Sequence, residues 1–142
     1  MSAFVSATDT FTIAYDAQRE LLRACWLQPL ADEELQATLL ELLTAAQRYA
    51  NCRYWLLDAR RRPIAGPALR RWARQVLHPQ LYPALGGPVF VAFVVTPGQW
   101  PAIENVAMDQ HLRAAAAEEV FPNYFEDEPT ALNWLRDQQK HD

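Results

Sequence analysis

The stretch RYWLLDARRRPIAGP, residues 53–67, holds the pattern that decides the fold. It begins with a short apolar run that ends on Asp58, continues into three consecutive arginines, and closes on Gly66 and Pro67. A run that is apolar on both faces and too short for a helix is typical of an interior strand covered on two sides. Gly and Pro then mark the start of a helix. The stretch therefore predicts one strand-to-helix unit of an α/β fold.

Two hairpin strands and a long helix are predicted upstream of this stretch. In residues 10–16, Phe, Ile and Tyr alternate with Thr and Ala, and residues 20–27 also alternate between two faces. Period-two alternation is typical of strands with one buried face, and the short segment between them allows an antiparallel hairpin. Residues 32–50 begin with three acidic residues and carry Leu and Ala at spacings of three and four. This pattern predicts an amphipathic helix.

Downstream of the arginines, the alternation of helix and strand continues. The helix that starts at Pro67 is expected to end at Pro79, because proline disrupts the interior of a helix. The run PVFVAFVV, residues 88–95, is the clearest buried strand. Three more elements are predicted: a helix over residues 101–119, a short strand near Tyr124 and Phe125, and a last helix over residues 128–139.

The resulting order of elements is β-β-α-β-α-β-α-β-α. Strands that alternate with helices in this way pair in parallel, because each crossover returns the chain to the same end of the sheet. The opening hairpin adds an antiparallel strand. No linker, repeat or low-complexity segment interrupts the pattern, so we expect one α/β domain over residues 1–142.

The composition argues against several classes of protein. The chain is 51% hydrophobic and 21% charged, which is close to the average for globular proteins. Its longest apolar run, residues 89–95, is far shorter than the roughly 18 residues of a membrane-spanning helix. The first ten residues lack the basic start and apolar centre of a secretory signal. We therefore expect a cytoplasmic protein that does not enter a membrane.

Motifs for catalysis or cofactor binding are missing from the sequence. Cys25 and Cys52 are too far apart for a CxxC redox pair, and the three histidines occur in no HExxH pattern. Neither a GxSxG elbow nor a glycine-rich phosphate loop occurs among the four glycines. We therefore expect no metal, no cofactor and no enzymatic activity.

The hairpin start, the strand YWLLDAR and the closing YFEDEPTALNWL resemble a known family. They are similar to the small STAS-like bacterial domains related to the anti-sigma-factor antagonists of the SpoIIAA type. The resemblance implies a STAS-like mixed sheet of four to five strands with about four helices, and a regulatory function through protein-protein interaction. In the antagonists, a Ser or Thr at the start of the helix after the interior strand is phosphorylated. Residues 58–67 contain neither, so the phosphorylation switch is not carried over.

The basic residues that follow the interior strand form the candidate interaction surface. Seven of the 13 basic residues lie within residues 53–74, with Asp58 as the only acidic residue among them. Helical spacing predicts that the arginines after Pro67 face outward, opposite Trp72. Trp100 is either an exposed aromatic anchor or a side chain packed over the sheet edge. The candidate surface consists of Asp58, Arg60, Arg61, Arg62, Arg70, Arg71, Arg74 and Trp100.

Three interpretations of these arginines remain open. In the first, they form a solvated face whose charge is neutralised by acidic residues such as 126–128. In the second, they recognise an acidic protein or a phosphorylated ligand, because guanidinium groups form paired hydrogen bonds with carboxylates and phosphates. Nucleic-acid binding is disfavoured, because the chain is acidic (pI near 5.3) and lacks the known motifs. Asp58 lies where α/β folds bind ligands, but it is equally a turn-forming or Arg-paired carboxylate.

The leading functional prediction is a non-catalytic STAS-like domain that binds a protein partner through residues 58–74 and Trp100. A second copy of the chain is one candidate partner. The rival from another class is a carrier or sensor of a small apolar ligand, enclosed by the sheet and the Trp-rich helices. An interior without any pocket of roughly 300 Å³ or more would count against the carrier.

Overall fold

The structure, a computed structural model, describes residues 2–105 and 119–141. A six-stranded sheet forms its centre, and the strands lie side by side in the order in which they follow along the chain. The strands are β1, Ser2–Ala7; β2, Phe11–Asp16; β3, Leu21–Trp26; β4, Tyr54–Asp58; β5, Val89–Val94; and β6, Val120–Phe125.

Both kinds of predicted strand pairing are present in this mixed sheet. β1, β2 and β3 pair antiparallel, and the predicted hairpin is confirmed with Phe11 opposite Trp26. β3 to β6 pair in parallel. The interior strand β4 is also confirmed, because Trp55 lies between Leu22 of β3 and Val91 of β5. The ends of β3 to β6 therefore meet at one side of the sheet, here called the carboxyl edge.

The expected number of strands, four to five, is wrong, because the sheet has six. The strand that the sequence did not reveal is β1, Ser2–Ala7, whose run SAFVSA shows no strict alternation of apolar and polar residues. As an edge strand it pairs only with β2, so its ladder does not require the apolar pattern of an interior strand. The strand predicted near Tyr124 is longer than expected, since β6 includes Pro122, which an edge strand tolerates.

The predicted α/β class is confirmed by helices that alternate with the parallel strands. Each segment between these strands contains helical residues, and a last helix follows β6. No helix in the described part of the chain is both long and apolar enough to cross a membrane. The helices are α1, Asp32–Arg48; α2, Pro67–Trp72; α3, His78–Leu85; α4, residues 100–105; and α5, Glu128–His141.

The prediction that Pro79 ends the second helix is wrong. A π-helical turn, Ala73–Leu77, joins α2 directly to α3. Pro79 lies in the first turn of α3, where a missing N–H group costs little. The helix ends instead at Leu85 and is capped by Gly86, whose φ of 79° is in the left-handed region that glycine adopts easily. The helix predicted over residues 101–119 begins at residue 100, and its residues 106–118 lie outside the described residues.

Helices cover both faces of the sheet. α1, α2 and α3 contribute to a core on one face that contains Trp26 and Trp55. α5 covers the other face, where Ala131 and Leu135 pack with Leu56 of β4. The face beneath α2 and α3 is the one that holds the candidate site.

Candidate functional site

A cavity of about 160 Å³ lies between β4 to β6 and the helices α2 and α3. The described residues that line it come from the sheet, from the loop after β4, from α1, and from the continuous helical segment 67–85. They are Leu39, Trp55, Leu57, Ala59, Arg62, Ile64, Ala65, Leu69, Arg70, Ala73, Arg74, Leu77, His78, Leu81, Val91, Phe93, Val120, Pro122 and Tyr124.

The wall of the cavity is mostly apolar but carries positive charge. Arg62, Arg70 and Arg74 line it together with His78 and Tyr124. Among the described lining residues there is no aspartate and no glutamate. An apolar cavity with a few convergent polar groups is the usual form of a small-molecule site, and the charge of Arg62, which pairs with no described carboxylate, favours an anion.

Arg62 is the most unusual side chain of this wall, because only 7% of it is exposed. Its Cζ atom lies 4.2 Å from the centroid of the Trp26 ring, which is a cation-π contact. Its Nη1 donates a hydrogen bond to the carbonyl oxygen of Pro63 at 3.1 Å. Its buried Nε has no hydrogen-bond partner. Arginine is almost never buried unless it is paired, so this arrangement calls for an explanation.

The loop that carries Arg62 is fixed by the side chain of Gln99. The Nε2 of Gln99 donates to the carbonyl oxygens of Ala59 at 3.0 Å and Arg62 at 2.8 Å. Its Oε1 accepts a hydrogen bond from the backbone N–H of Thr96 at 2.8 Å. One amide therefore joins the loops that follow β4 and β5, and it holds the backbone of Arg62 in place at the carboxyl edge.

Burial changes the proton affinity of the ionisable groups in the cavity wall. It lowers the pKa of Arg62 to about 10, against a small opposing effect of Tyr124, so the guanidinium stays charged at neutral pH. It raises the pKa of Tyr124, against the effect of Arg62 and Arg70, and the phenol keeps its proton. Burial also lowers the pKa of His78, with help from the charge of Arg74.

Asp58, at the end of β4, is committed to Arg60. Its Oδ1 accepts from the backbone N–H of Arg60 at 3.1 Å and from Nε at 3.0 Å, and its Oδ2 accepts from Nη2 at 2.7 Å. Burial alone would raise the pKa of Asp58, but these contacts outweigh it and hold the pKa below its usual range. The pair has the turn-forming, Arg-paired geometry that was one of the two interpretations of Asp58.

The remaining candidate arginines divide between the solvent and the cavity. Arg61 and Arg71 are exposed, as an interaction surface requires. The expectation that Arg70 and Arg74 face fully outward is wrong, since both are half-buried and line the cavity, and Nη1 of Arg70 donates to the carbonyl oxygen of Ala65 at 2.7 Å. Arg62 does not belong to an exposed surface either, because its guanidinium is buried over Trp26.

Trp100 is half-buried at the carboxyl edge and is not a freely exposed anchor. Its ring packs against the small cluster of Ala59, Val95 and Ile103. Its Nε1 donates a hydrogen bond to Oε1 of Glu126 at 2.9 Å. The interpretation in which the indole packs over the sheet edge therefore describes its position.

Four residues that matter to the site were not found from the sequence. Gln99 fixes the Arg62 loop, Trp26 lies beneath the guanidinium, and His78 and Tyr124 line the cavity. Each belongs to an element other than the arginine loop, and no spacing in the sequence joins them. Within residues 2–105 and 119–141, no cluster of three His, Cys, Asp or Glu side chains could hold a metal ion.

Comparisons with known proteins find no relative of this chain. Comparison with protein-family models finds no match. Comparisons with curated proteins and with solved structures also find none. The STAS-like resemblance therefore stays a prediction.

Proposed function

We propose that this chain is a non-catalytic binding domain that holds a small molecule in the cavity beneath α2 and α3. The observation that carries the proposal is the apolar cavity of about 160 Å³ next to the carboxyl edge of the parallel strands. The ligand would contact the ring of Phe93 and the side chains of Leu57 and Ile64.

The volume of the cavity limits the size of the ligand. Sites for drug-sized molecules enclose about 300 to 1,000 Å³, so the cavity counts against a carrier of large apolar ligands. An apolar cavity of about 150 Å³ is nevertheless sufficient to bind benzene. The proposal is therefore narrower than the sequence-based alternative: a sensor or carrier for a molecule built around one ring or a short branched chain.

The state of the two thiols supports a non-catalytic role. Burial raises the pKa of Cys52, and its Sγ lies 3.4 Å from the carbonyl oxygen of Tyr54. Burial also raises the pKa of Cys25, together with the charge of Asp58. A reactive cysteine needs a lowered pKa, so neither thiol is an activated nucleophile.

Binding of benzene tests this proposal. Thermal unfolding with and without saturating benzene should show a raised Tm for the wild-type protein, because a ligand that binds only the folded state stabilises it. Ala73→Leu, which places a larger side chain in the cavity wall, should abolish the shift. Ala68→Leu on the exposed side of α2 is the matched control and should keep it. A wild-type protein with no shift would contradict the proposal.

A second candidate function is the STAS-like regulatory domain that binds a protein partner in the cytoplasm. The observation in its favour is that Arg61 and Arg71 remain exposed near the carboxyl edge. A pull-down with the double variant Arg61→Glu and Arg71→Glu tests it. Loss of a partner that the wild-type protein and the exposed control Arg136→Glu both retain would support the regulatory function, and retention by the double variant would contradict it.

A further inference from the structure

We propose that the ligand of the cavity is a small carboxylate on an apolar body, and that the guanidinium of Arg62 binds its two oxygens. This inference rests on the proposed function, since it names the chemistry of the molecule that the cavity holds. Three observations carry it: the burial of Arg62, its unused hydrogen-bond donors, and the charge of the cavity wall.

The burial of Arg62 leaves a charge without a counter-ion among the described residues. Only 7% of the residue is exposed, and no described carboxylate forms a salt bridge with it. Removing a guanidinium from water is costly unless it is paired and hydrogen-bonded. The contact with Trp26 and the bond to Pro63 offset part of that cost. An anionic ligand would offset the rest.

The donors that Arg62 leaves unused have the geometry for a carboxylate. Its Nη1 is committed to the Pro63 carbonyl. Its Nε is buried without a partner, and none of the hydrogen bonds among the described residues uses Nη2. Nε and Nη2 form one edge of the planar guanidinium, and two parallel N–H groups on such an edge match the two oxygens of a carboxylate.

The rest of the wall favours one negative charge on an apolar molecule. No described lining residue carries a negative charge. Tyr124 keeps its proton, so it adds no repulsion and offers a hydroxyl donor. The remaining lining is aliphatic or aromatic, with Trp55, Leu57 and Phe93 among it. Such a wall suits the ring or branched chain of a monocarboxylic acid better than a strongly hydrated phosphate.

Calorimetric titration with benzoate and its neutral isostere benzamide tests this inference. The two molecules have the same shape, so their difference reports the charge. We expect benzoate to bind wild-type protein about tenfold to a hundredfold more tightly than benzamide, as expected for a charge-assisted hydrogen-bonded pair. Inorganic phosphate is the third probe. If phosphate binds as tightly as benzoate, the inference that the ligand carries an apolar group is wrong.

Variants of Arg62 locate the contact. Arg62→Met should weaken benzoate binding at least tenfold and leave benzamide binding within about threefold. Arg61→Met is the matched control on the neighbouring exposed arginine and should change neither. Arg62→Lys keeps the charge but loses the two-pronged edge, so it should give an intermediate loss. If Arg62→Met does not fold, benzoate binding by Arg62→Lys provides the test. Unchanged benzoate binding in Arg62→Lys and Arg62→Met would overturn the role of Arg62.

The outcomes separate this inference from the proposed function. If benzene and benzamide bind and benzoate is not preferred, the cavity binds ligands but the carboxylate inference is wrong. If none of the three binds, both proposals are wrong. If benzene raises the Tm of the wild-type protein, and Ala73→Leu removes benzoate binding while Ala68→Leu does not, the carboxylate lies in the cavity and both proposals are supported.

Discussion

The guanidinium of Arg62 lies over the indole ring of Trp26, with Cζ 4.2 Å from the ring centroid. Trp26 ends β3, whereas Arg62 belongs to the loop after β4. The contact therefore ties two neighbouring parallel strands together at the carboxyl edge. It also places a positive charge at the wall of an apolar cavity. If Arg62 serves ligand binding, its substitution should leave the free energy of unfolding nearly unchanged, whereas substitution of a residue that serves stability should lower it.

Replacing Arg62 with Met should change the free energy of unfolding by less than about 1 kcal/mol, or increase it, in the protein without ligand. The lost cation-π contact destabilises, but removal of a desolvated charge has the opposite effect. Urea unfolding at pH 7 measures the change, with the exposed Arg71→Met as control. A loss of more than about 2 kcal/mol would show that Arg62 is there chiefly for stability.

Gln99→Leu should destabilise the protein by about 2 kcal/mol, because it removes three hydrogen bonds that partly buried backbone groups make with the Gln99 side chain. The carbonyl oxygens of Ala59 and Arg62 would each lose a donor, and the N–H of Thr96 would lose its acceptor. Gln80→Leu is the matched control, since its amide bonds only the carbonyl of the exposed Val76. Equal unfolding midpoints for the two variants would contradict the role given to Gln99.

Asp16→Asn should cost about 2 kcal/mol at pH 7, because Asp16 is only 3% exposed and lies 3.2 Å from Nη1 of Arg19 and 3.8 Å from Nε of Arg23. Burial alone would raise the pKa of Asp16, but its hydrogen bonds with Arg19 and the charge of Arg23 lower it overall. The exposed Asp9→Asn should be neutral.

The pH dependence of the Asp16→Asn effect follows from the lowered pKa. A carboxylate whose pKa is lowered by folding stabilises the folded state above the unfolded value, which is about 3.9. That stability is lost as the pH falls through the folded pKa. The free energies of unfolding of wild type and Asp16→Asn should therefore show their full difference at pH 7, and that difference should shrink below about pH 4. A difference that stays constant down to pH 3 would contradict this account.

His78 should make the protein less stable in weak acid. Folding lowers its pKa by burial and by the charge of Arg74, so below about pH 6.5 the unfolded state binds more protons than the folded state. The free energy of unfolding is therefore highest above that pH, and it falls as the pH drops toward the pKa that His78 has in the folded state. Unfolding curves between pH 7.5 and pH 5 should show a smaller loss for His78→Gln than for wild type. Parallel pH profiles would be inconsistent with a lowered pKa.

The sequence predicted the elements whose side chains carry a strong pattern. The hairpin of β2 and β3, the helix α1 and the interior strand β4 follow from alternation, from leucine spacing and from a doubly apolar run. Edge strand β1 lacks such a pattern, because it pairs with only one neighbouring strand. The prediction that Pro79 ends the second helix failed because a π-helical turn places Pro79 in the first turn of the next helix. Nothing in the order of the residues signals that π-helical turn.

The cavity could not be predicted, because three consecutive arginines have three different environments. Arg60 pairs with Asp58, Arg61 is exposed, and Arg62 is buried over Trp26. Arginine is mostly exposed in proteins, so its sequence pattern favours a solvated face for all three. The contacts that give Arg62 a different environment from its two neighbours come from the Trp26 ring and from Gln99, whose side chain donates a hydrogen bond to the backbone of Arg62. They exist only after the sheet has formed.

The Arg62 Nε–Hε resonance in a ¹⁵N–¹H correlation spectrum gives the most direct test of the proposed carboxylate site. The resonance is assigned by its absence in Arg62→Met and followed while benzoate, and separately benzamide, is added. We predict that benzoate moves it in a saturable manner and that benzamide moves it far less. A resonance that stays in place while benzoate shifts only those of the exposed Arg61 and Arg71 would contradict the carboxylate site.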